Sequence, residues 1–171
     1  MQPIIKPKYK KTGSTKLNGI FGNVKKFDKK LYDKYDIDAR FVIKNILGDD
    51  IKDNENQYAE DMVFTLKQFP YKYLEVQVLS TWEGNVFPYI CPFVYARKMR
   101  FSEKTLFVTF NKFLSEMIIF SRERISNIPS RLKKYDREMI HYVSWMKCIK
   151  IKTSEFNTRL ISEYSGELID D

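Results

Sequence analysis

The chain has little of what metal and hydrolytic sites most often use: its 171 residues include one histidine, His141, and two cysteines, Cys91 and Cys148, with no CxxC pair. A zinc site built from Cys and His is therefore not expected. Ser-His-Asp hydrolysis and His-dependent nuclease chemistry fall away as well unless His141 does everything, and a lone histidine is more often structural. No apolar run approaches the roughly 18 residues that a membrane-spanning helix needs. The N-terminus lacks the apolar core of a signal peptide, and no Asn-x-Ser/Thr acceptor is present. These absences predict an intracellular, reducing location, in cytoplasm or nucleus or within a virion, with both thiols free and no membrane partner.

Acidic residues are missing from the first 27 positions, which carry seven lysines, Lys10 and Lys11 among them, and turn formers such as Gly13, Ser14 and Gly19. That segment reads as a mobile basic arm, either a solvated tail or an arm lying along a phosphate backbone. Over the whole chain the formal net charge is +8. Clustered Lys and Arg gain affinity for phosphate by releasing counterions, so an anionic partner is expected, with nucleic acid the leading class.

What is present is enough for one core: 43% hydrophobic and 15% aromatic residues in a length too short for two full domains. The expected organisation is the arm at 1–27, one domain at 28–155, and a tail at 156–171 that turns acidic at its end. Leu31, Tyr35, Ala39, Val42 and Ile46 recur at helical spacing between a cap at Asp28 and a stop at Gly48. GDDIKDNENQ reads as a loop. DMVFTL and YKYLEVQVL then form a hairpin across a turn at KQFP. Further on, FVYARKMRF suits a short basic helix, while TLFVTFN, EMIIFSR and HYVSWMKCIKI suit strands. The tail after Ser154 is helical or disordered.

YKYLEVQVL carries the site argument. Alternation puts Leu74, Val76 and Val78 on one face and Tyr73, Glu75, Gln77 and Leu79 on the other. A turn centred on Phe69 would set Asp61 opposite Gln77 and Val63 opposite Glu75, gathering Asp61, Glu75 and Gln77 on one face. Two carboxylates and a side-chain carbonyl make an all-oxygen set that suits Mg²⁺ or Mn²⁺. Such an ion can bind a phosphate oxygen and lower the pKa of an attacking water, which implies phosphodiester hydrolysis.

A charged helix, an Asp at a strand start, Glu-x-Lys on the next strand, then a helix and another strand is the pattern of the PD-(D/E)XK nuclease superfamily. Residues 28 to 125 resemble it through Asp61, Glu75-Val76-Gln77, the basic segment Tyr95-Ala96-Arg97-Lys98 and the strand TLFVTFN. The resemblance implies that Asp61 and Glu75 bind the catalytic Mg²⁺ and that the third motif residue positions or activates the water. Two positions depart from the pattern: no proline precedes Asp61, and Gln77 stands where Lys is usual. Glu-x-Gln is similar to what some active restriction enzymes of the superfamily carry. Elsewhere in it the missing Lys comes from a neighbouring helix, which makes Lys98 the candidate here. The resemblance also implies a homodimer and a helical acid as a further ligand, for which Asp33, Asp36 and Asp38 stand on the first helix; capping and surface roles are the alternatives.

The expected architecture is thus α/β: a central mixed sheet of four to five strands flanked by helices, restriction-endonuclease-like. Its expected function is metal-dependent hydrolysis of DNA, with Asp61, Glu75, Gln77 and Lys98 catalytic. Lys10, Lys11, Trp82, Arg97, Arg131, Lys133 and Lys134 are candidates for holding nucleic acid, Trp82 by stacking on a base and the others by phosphate contact. Packing at the strand end is the alternative for Trp82, and solvated charge for the rest. Residue usage rich in Lys, Ile, Tyr and Phe resembles proteins of AT-rich genomes, including large DNA viruses and mobile elements, consistent with repair, recombination or genome processing. The rival readings are a non-catalytic nucleic-acid-binding protein on the same fold and a packaging protein that binds through its tails.

Overall fold

The computed structural model describes residues 35–132 and 135–166. The basic arm with Lys10 and Lys11, the cap at Asp28, Asp33, the pair Lys133 and Lys134, and the acidic chain end lie outside the described residues. Within them the protein is α/β. A six-stranded mixed sheet and a separate three-stranded sheet are accompanied by two helices. The expected four to five strands are therefore too few. No helix among the described residues is long and apolar enough to cross a membrane.

Helix α1, Ile37–Leu47, buries Ala39, Ile43 and Leu47 at successive spacings of four. That stripe is turned from the expected one, and Ile46 faces outward. Gly48 ends the helix at φ 57, its N–H donating to the Lys44 carbonyl, a conformation that side chains with a Cβ rarely adopt. The polar stretch after it is not all loop. Strand β1, Ile51–Asp53, pairs antiparallel with β2, Met62–Phe64, and β2 pairs with β3, Tyr73–Leu79.

Strand β3 runs parallel to β5, Thr105–Asn111, which is buried along its whole length, as a central strand covered on both faces should be. Strand β6, Glu116–Ser121, returns antiparallel, and β9, Ile149–Lys152, closes the sheet with Lys150 and Lys152 pointing outward. Lysines on an edge strand discourage pairing with another chain.

The link from β3 to β5 contributes β4, Phe93–Tyr95, and a tight helical turn, Ala96–Arg100, in place of the single short helix expected for FVYARKMRF. Strand β4 joins β8, Tyr135–Tyr142, and β7, Pro129–Leu132, in the smaller sheet. The run HYVSWMKCIKI is two strands rather than one. It breaks at Ser144, whose hydroxyl accepts the N–H of Met146 and caps the turn Trp145–Lys147.

Two apolar cores result. Helix α1 and helix α2, Thr158–Gly166, cover one face of the large sheet, packing Ile43, Ile161 and Tyr164 on Leu74, Val108 and Ile119. The other core gathers Trp82, Val94, Val143 and Phe101 around Phe107, Ile118 and Phe120. His141 Nδ1 lies 2.7 Å from the Ser126 carbonyl and ties β8 to the loop before β7, a structural role. Burial pushes the Cys148 thiol up to about 12, leaving it unreactive near neutral pH.

Candidate active site

The hairpin register decides which carboxylates meet. Met62 pairs with Leu74 and Val63 with Tyr73, so one step outward Asp61 lies beside Glu75 and not opposite Gln77. The turn centres on Gln68, which takes φ 55, rather than on Phe69. A two-residue slip preserves side-chain parity, and Asp61 and Glu75 still share a face. They lock each other in place: the Asp61 N–H donates to Glu75 Oε2 at 3.1 Å, and the Val76 N–H donates to Asp61 Oδ2 at 2.9 Å. Hydrogen bonds from backbone N–H groups favour the charged form of a carboxylate.

Lys98 arrives from the turn Ala96–Arg100. Its Nζ lies 3.3 Å from Glu75 Oε1, with Glu75 only 1% exposed and Lys98 6%. A buried carboxylate needs such a partner, since desolvating an isolated charge costs several kcal/mol. The following segment is fastened to the loop that carries Asp61 into β2. Glu60 accepts from the Ser102 N–H and the Thr105 hydroxyl, both at 2.9 Å, and Arg100 Nη1 donates to the Tyr58 carbonyl at 3.0 Å. Sequence reasoning missed Glu60. A charged residue beside an exposed loop carries no periodic signal that it will be buried.

Asp36 feels the charge of the Asp61 and Glu75 pair. Burial first, then the negative charges of Asp61 and Glu75, push its carboxyl from 3.8 up to about 7, against the opposing pull of Lys98 and Arg40. Of the two helical acids among the described residues, Asp36 is thus the one that feels the charge of the site, whereas Asp38 is exposed.

Gln77 takes a different part from the one expected. Its amide nitrogen donates to the Phe93 carbonyl at 3.1 Å and to the Thr109 hydroxyl, so it fastens β4 onto the central strands. Arg97, the neighbour of Lys98, pairs with Glu138 and lies over the Tyr95 ring at 4.5 Å. Arg131 is exposed on β7. Trp82 corrects the expectation outright: it is fully buried, edge-on to Phe87 at 5.2 Å, with no ring face open to a base.

Among the described residues no group of three or more His, Cys, Asp or Glu side chains is disposed to hold a metal ion as it stands. The donor chemistry nonetheless fits a hard divalent cation. Asp61 and Glu75 meet, and their charge raises the proton affinity of a third carboxylate, a crowding that an added cation relieves.

Comparison of the chain with protein-family models, with curated proteins and with solved structures found no match.

Proposed function

We propose that the chain is a metal-dependent nuclease of the PD-(D/E)XK type, hydrolysing DNA phosphodiester bonds on a restriction-endonuclease-like fold. One observation carries the reading: Asp61 and Glu75 lock together across β2 and β3, with the ammonium of Lys98 from the next segment 3.3 Å from Glu75. These are the positions at which the resemblance expects two metal ligands and a migrated lysine. The parallel pairing of β3 with β5 and the net charge of +8 support the same reading.

In this reading Asp61 and Glu75 hold Mg²⁺ or Mn²⁺, with Asp36 adding negative charge to the same face. Such an ion, when bound, lowers the pKa of an attacking water and offsets charge developing on the phosphate. Lys98 holds Glu75 in position and places a positive charge where the scissile phosphate would lie, stabilising its added negative charge in the transition state. Water oxygen bonds to phosphorus, the P–O bond to the leaving alkoxide breaks, and the water's protons pass to solvent and to that alkoxide. Gln77 neither gives nor takes a proton; it holds β4, and through it the turn bearing Lys98.

A binding-only protein is the second reading, favoured by one feature: Lys98 already neutralises Glu75 without a metal. Cleavage of supercoiled plasmid, nicked circles and branched oligonucleotides with Mg²⁺ or Mn²⁺ separates the two. Wild type is expected to cut, and Glu75→Gln and Asp61→Asn to lose about a hundredfold or more in rate. DNA binding without cutting under either ion would establish the second reading, and equal cutting by the variants would remove Asp61 and Glu75 as the catalytic residues.

A further inference from the structure

Val86, Tyr89, Ile90, Trp145 and Met146, half of the exposed large apolar side chains among the described residues, come from two segments, the loop 83–92 and the turn Trp145–Lys147. Ile90 is 85% exposed and Met146 93%. The segments are joined: Trp145 Nε1 donates to the Ile90 carbonyl at 2.7 Å, and the Phe87 and Trp145 rings meet edge to face at 5.3 Å. The loop is anchored at both ends, by Asn111 Nδ2 to the Gly84 carbonyl at 3.3 Å and by the Val143 N–H to the Pro92 carbonyl at 2.9 Å. This rim is built in advance of any partner.

Its contacts also lead to Gln77, two positions along β3 from Glu75. Rings follow edge to face from Trp145 to Phe87, from Phe87 to Tyr89 at 5.8 Å, and from Tyr89 to Phe93 at 5.2 Å, and the Phe93 carbonyl accepts the Gln77 amide. Charge selects the partner. Residues 84–92 and 143–152 contain no acidic side chain and three lysines, Lys147, Lys150 and Lys152; Glu83, at the loop's start, pairs with Lys112 at 3.2 Å. Lys150 pairs with Glu116 of β6 at 3.8 Å, so the charge left over among these apolar tips and rings is positive, which suits a polyanion that exposes flat apolar faces. An unpaired nucleic-acid strand is such a ligand, whereas a paired duplex hides its base faces.

We propose that this rim holds the unpaired bases of single-stranded or branched DNA beside the carboxylate site, with Tyr89 and Trp145 as stacking rings and Ile90 and Met146 as an apolar wedge at the junction. The substrate class rests on the nuclease reading for its cutting step only, since the rim binds without catalysis.

Of the two tryptophans in the chain, Trp82 is fully buried, so an emission change on binding reports Trp145. The full chain in EDTA is titrated with a single-stranded oligonucleotide, a forked duplex and a blunt duplex. Quenching is expected with the first two and not with the third. Trp145→Ala, its binding read by the anisotropy of a dye-labelled oligonucleotide, should weaken single-strand binding by about tenfold, and Met146→Ser, on a side chain 93% exposed, provides a second variant that leaves the fold untouched. Equal quenching by blunt duplex, or unchanged single-strand affinity in both variants, overturns the proposal. So does a dimer, seen by light scattering, that Met146→Ser abolishes, because the rim then belongs to a second copy of the chain. Single strands that bind at Trp145 but are never cut would sink the nuclease reading and leave the rim standing. Indiscriminate cutting with Trp145 silent would do the reverse.

Discussion

Strand β3 has two faces that obey different rules. Leu74 and Val76 face the helices and are enclosed by Val108, Ile119 and Ile43 in a wholly apolar core. One residue along, Glu75 and Gln77 point the other way, where polar groups are held by named partners: Lys98 and the Asp61 N–H for the buried Glu75 carboxylate, Phe93 and Thr109 for the Gln77 amide nitrogen. The first face is held by area removed from water, which is non-directional and tolerant of similar shapes. The second depends on pairing, and a half-dismantled pair is worse than none. The same strand therefore supplies both the support and the chemistry.

Breaking each face in turn should give losses of similar size and opposite character. Leu74→Ala is expected to destabilise by about 2–5 kcal/mol through the cavity it leaves, with no second-site change on the polar face able to restore it. Lys98→Met should cost about 3–5 kcal/mol by leaving the buried Glu75 carboxylate without the opposing Lys98 charge. Unlike the cavity, that loss should be largely recovered in the double variant Glu75→Gln, Lys98→Met, which removes both charges. Urea unfolding of the four proteins in EDTA measures this. A double variant as unstable as Lys98→Met alone would show that the Glu75–Lys98 pair is not the organising contact of the polar face.

A smaller change tests whether Gln77 belongs with the chemistry or with the scaffold. Gln77→Leu orphans the Phe93 carbonyl and the Thr109 hydroxyl, at about 1–3 kcal/mol for the buried groups left unpaired. Since its amide nitrogen is already engaged, the cutting rate of the folded variant should fall by less than about tenfold, against about a hundredfold for Glu75→Gln. A loss as deep as that of Glu75→Gln, with stability unchanged, would return Gln77 to the catalytic role expected from its motif position.

The contrast between the faces also explains how far the chain could be read from sequence. Alternation is a property of the strand itself, so YLEVQVL disclosed both faces, and TLFVTFN and EMIIFS were legible because unbroken β-branched and aromatic runs suit buried strands. Register was not legible. It turned on Gln68 adopting a positive φ, for which glutamine gives no signal, and parity alone kept Asp61 with Glu75. Strand β1 was invisible because Ile51 is its only apolar residue, and it exists by pairing with β2. Trp82 was misread because an aromatic just past a strand looks the same in sequence whether it turns out to solvent or, as here, into a core. Lys98 came through the resemblance, and Asp36 was singled out from Asp38 only by the charges it faces.

Asp36 offers the finest probe of the polar face, through pH. Its carboxyl sits at about 7 in the folded protein against an ordinary 3.8, with burial the main cause and Asp61 and Glu75 adding to it. Between those values the folded state holds a proton that the unfolded state has lost. Stability from this group is therefore fully present below the unfolded value, falls as pH rises toward 7, and is gone above it. Asp36→Asn cannot lose that proton. In EDTA the variant should show a flatter stability profile from about pH 4 to 7 and should exceed wild type most above pH 7, as urea titrations at several pH values would measure. Adding Mg²⁺ or Mn²⁺ at pH 8 should lift wild type more than the variant, because a cation beside the three carboxylates relieves the repulsion that raised the proton affinity. Parallel pH profiles for the two proteins would mean that Asp36 does not feel the carboxylate pair. An equal response to the ion in both would instead leave Asp61 and Glu75 as the ligands and remove Asp36 from the site.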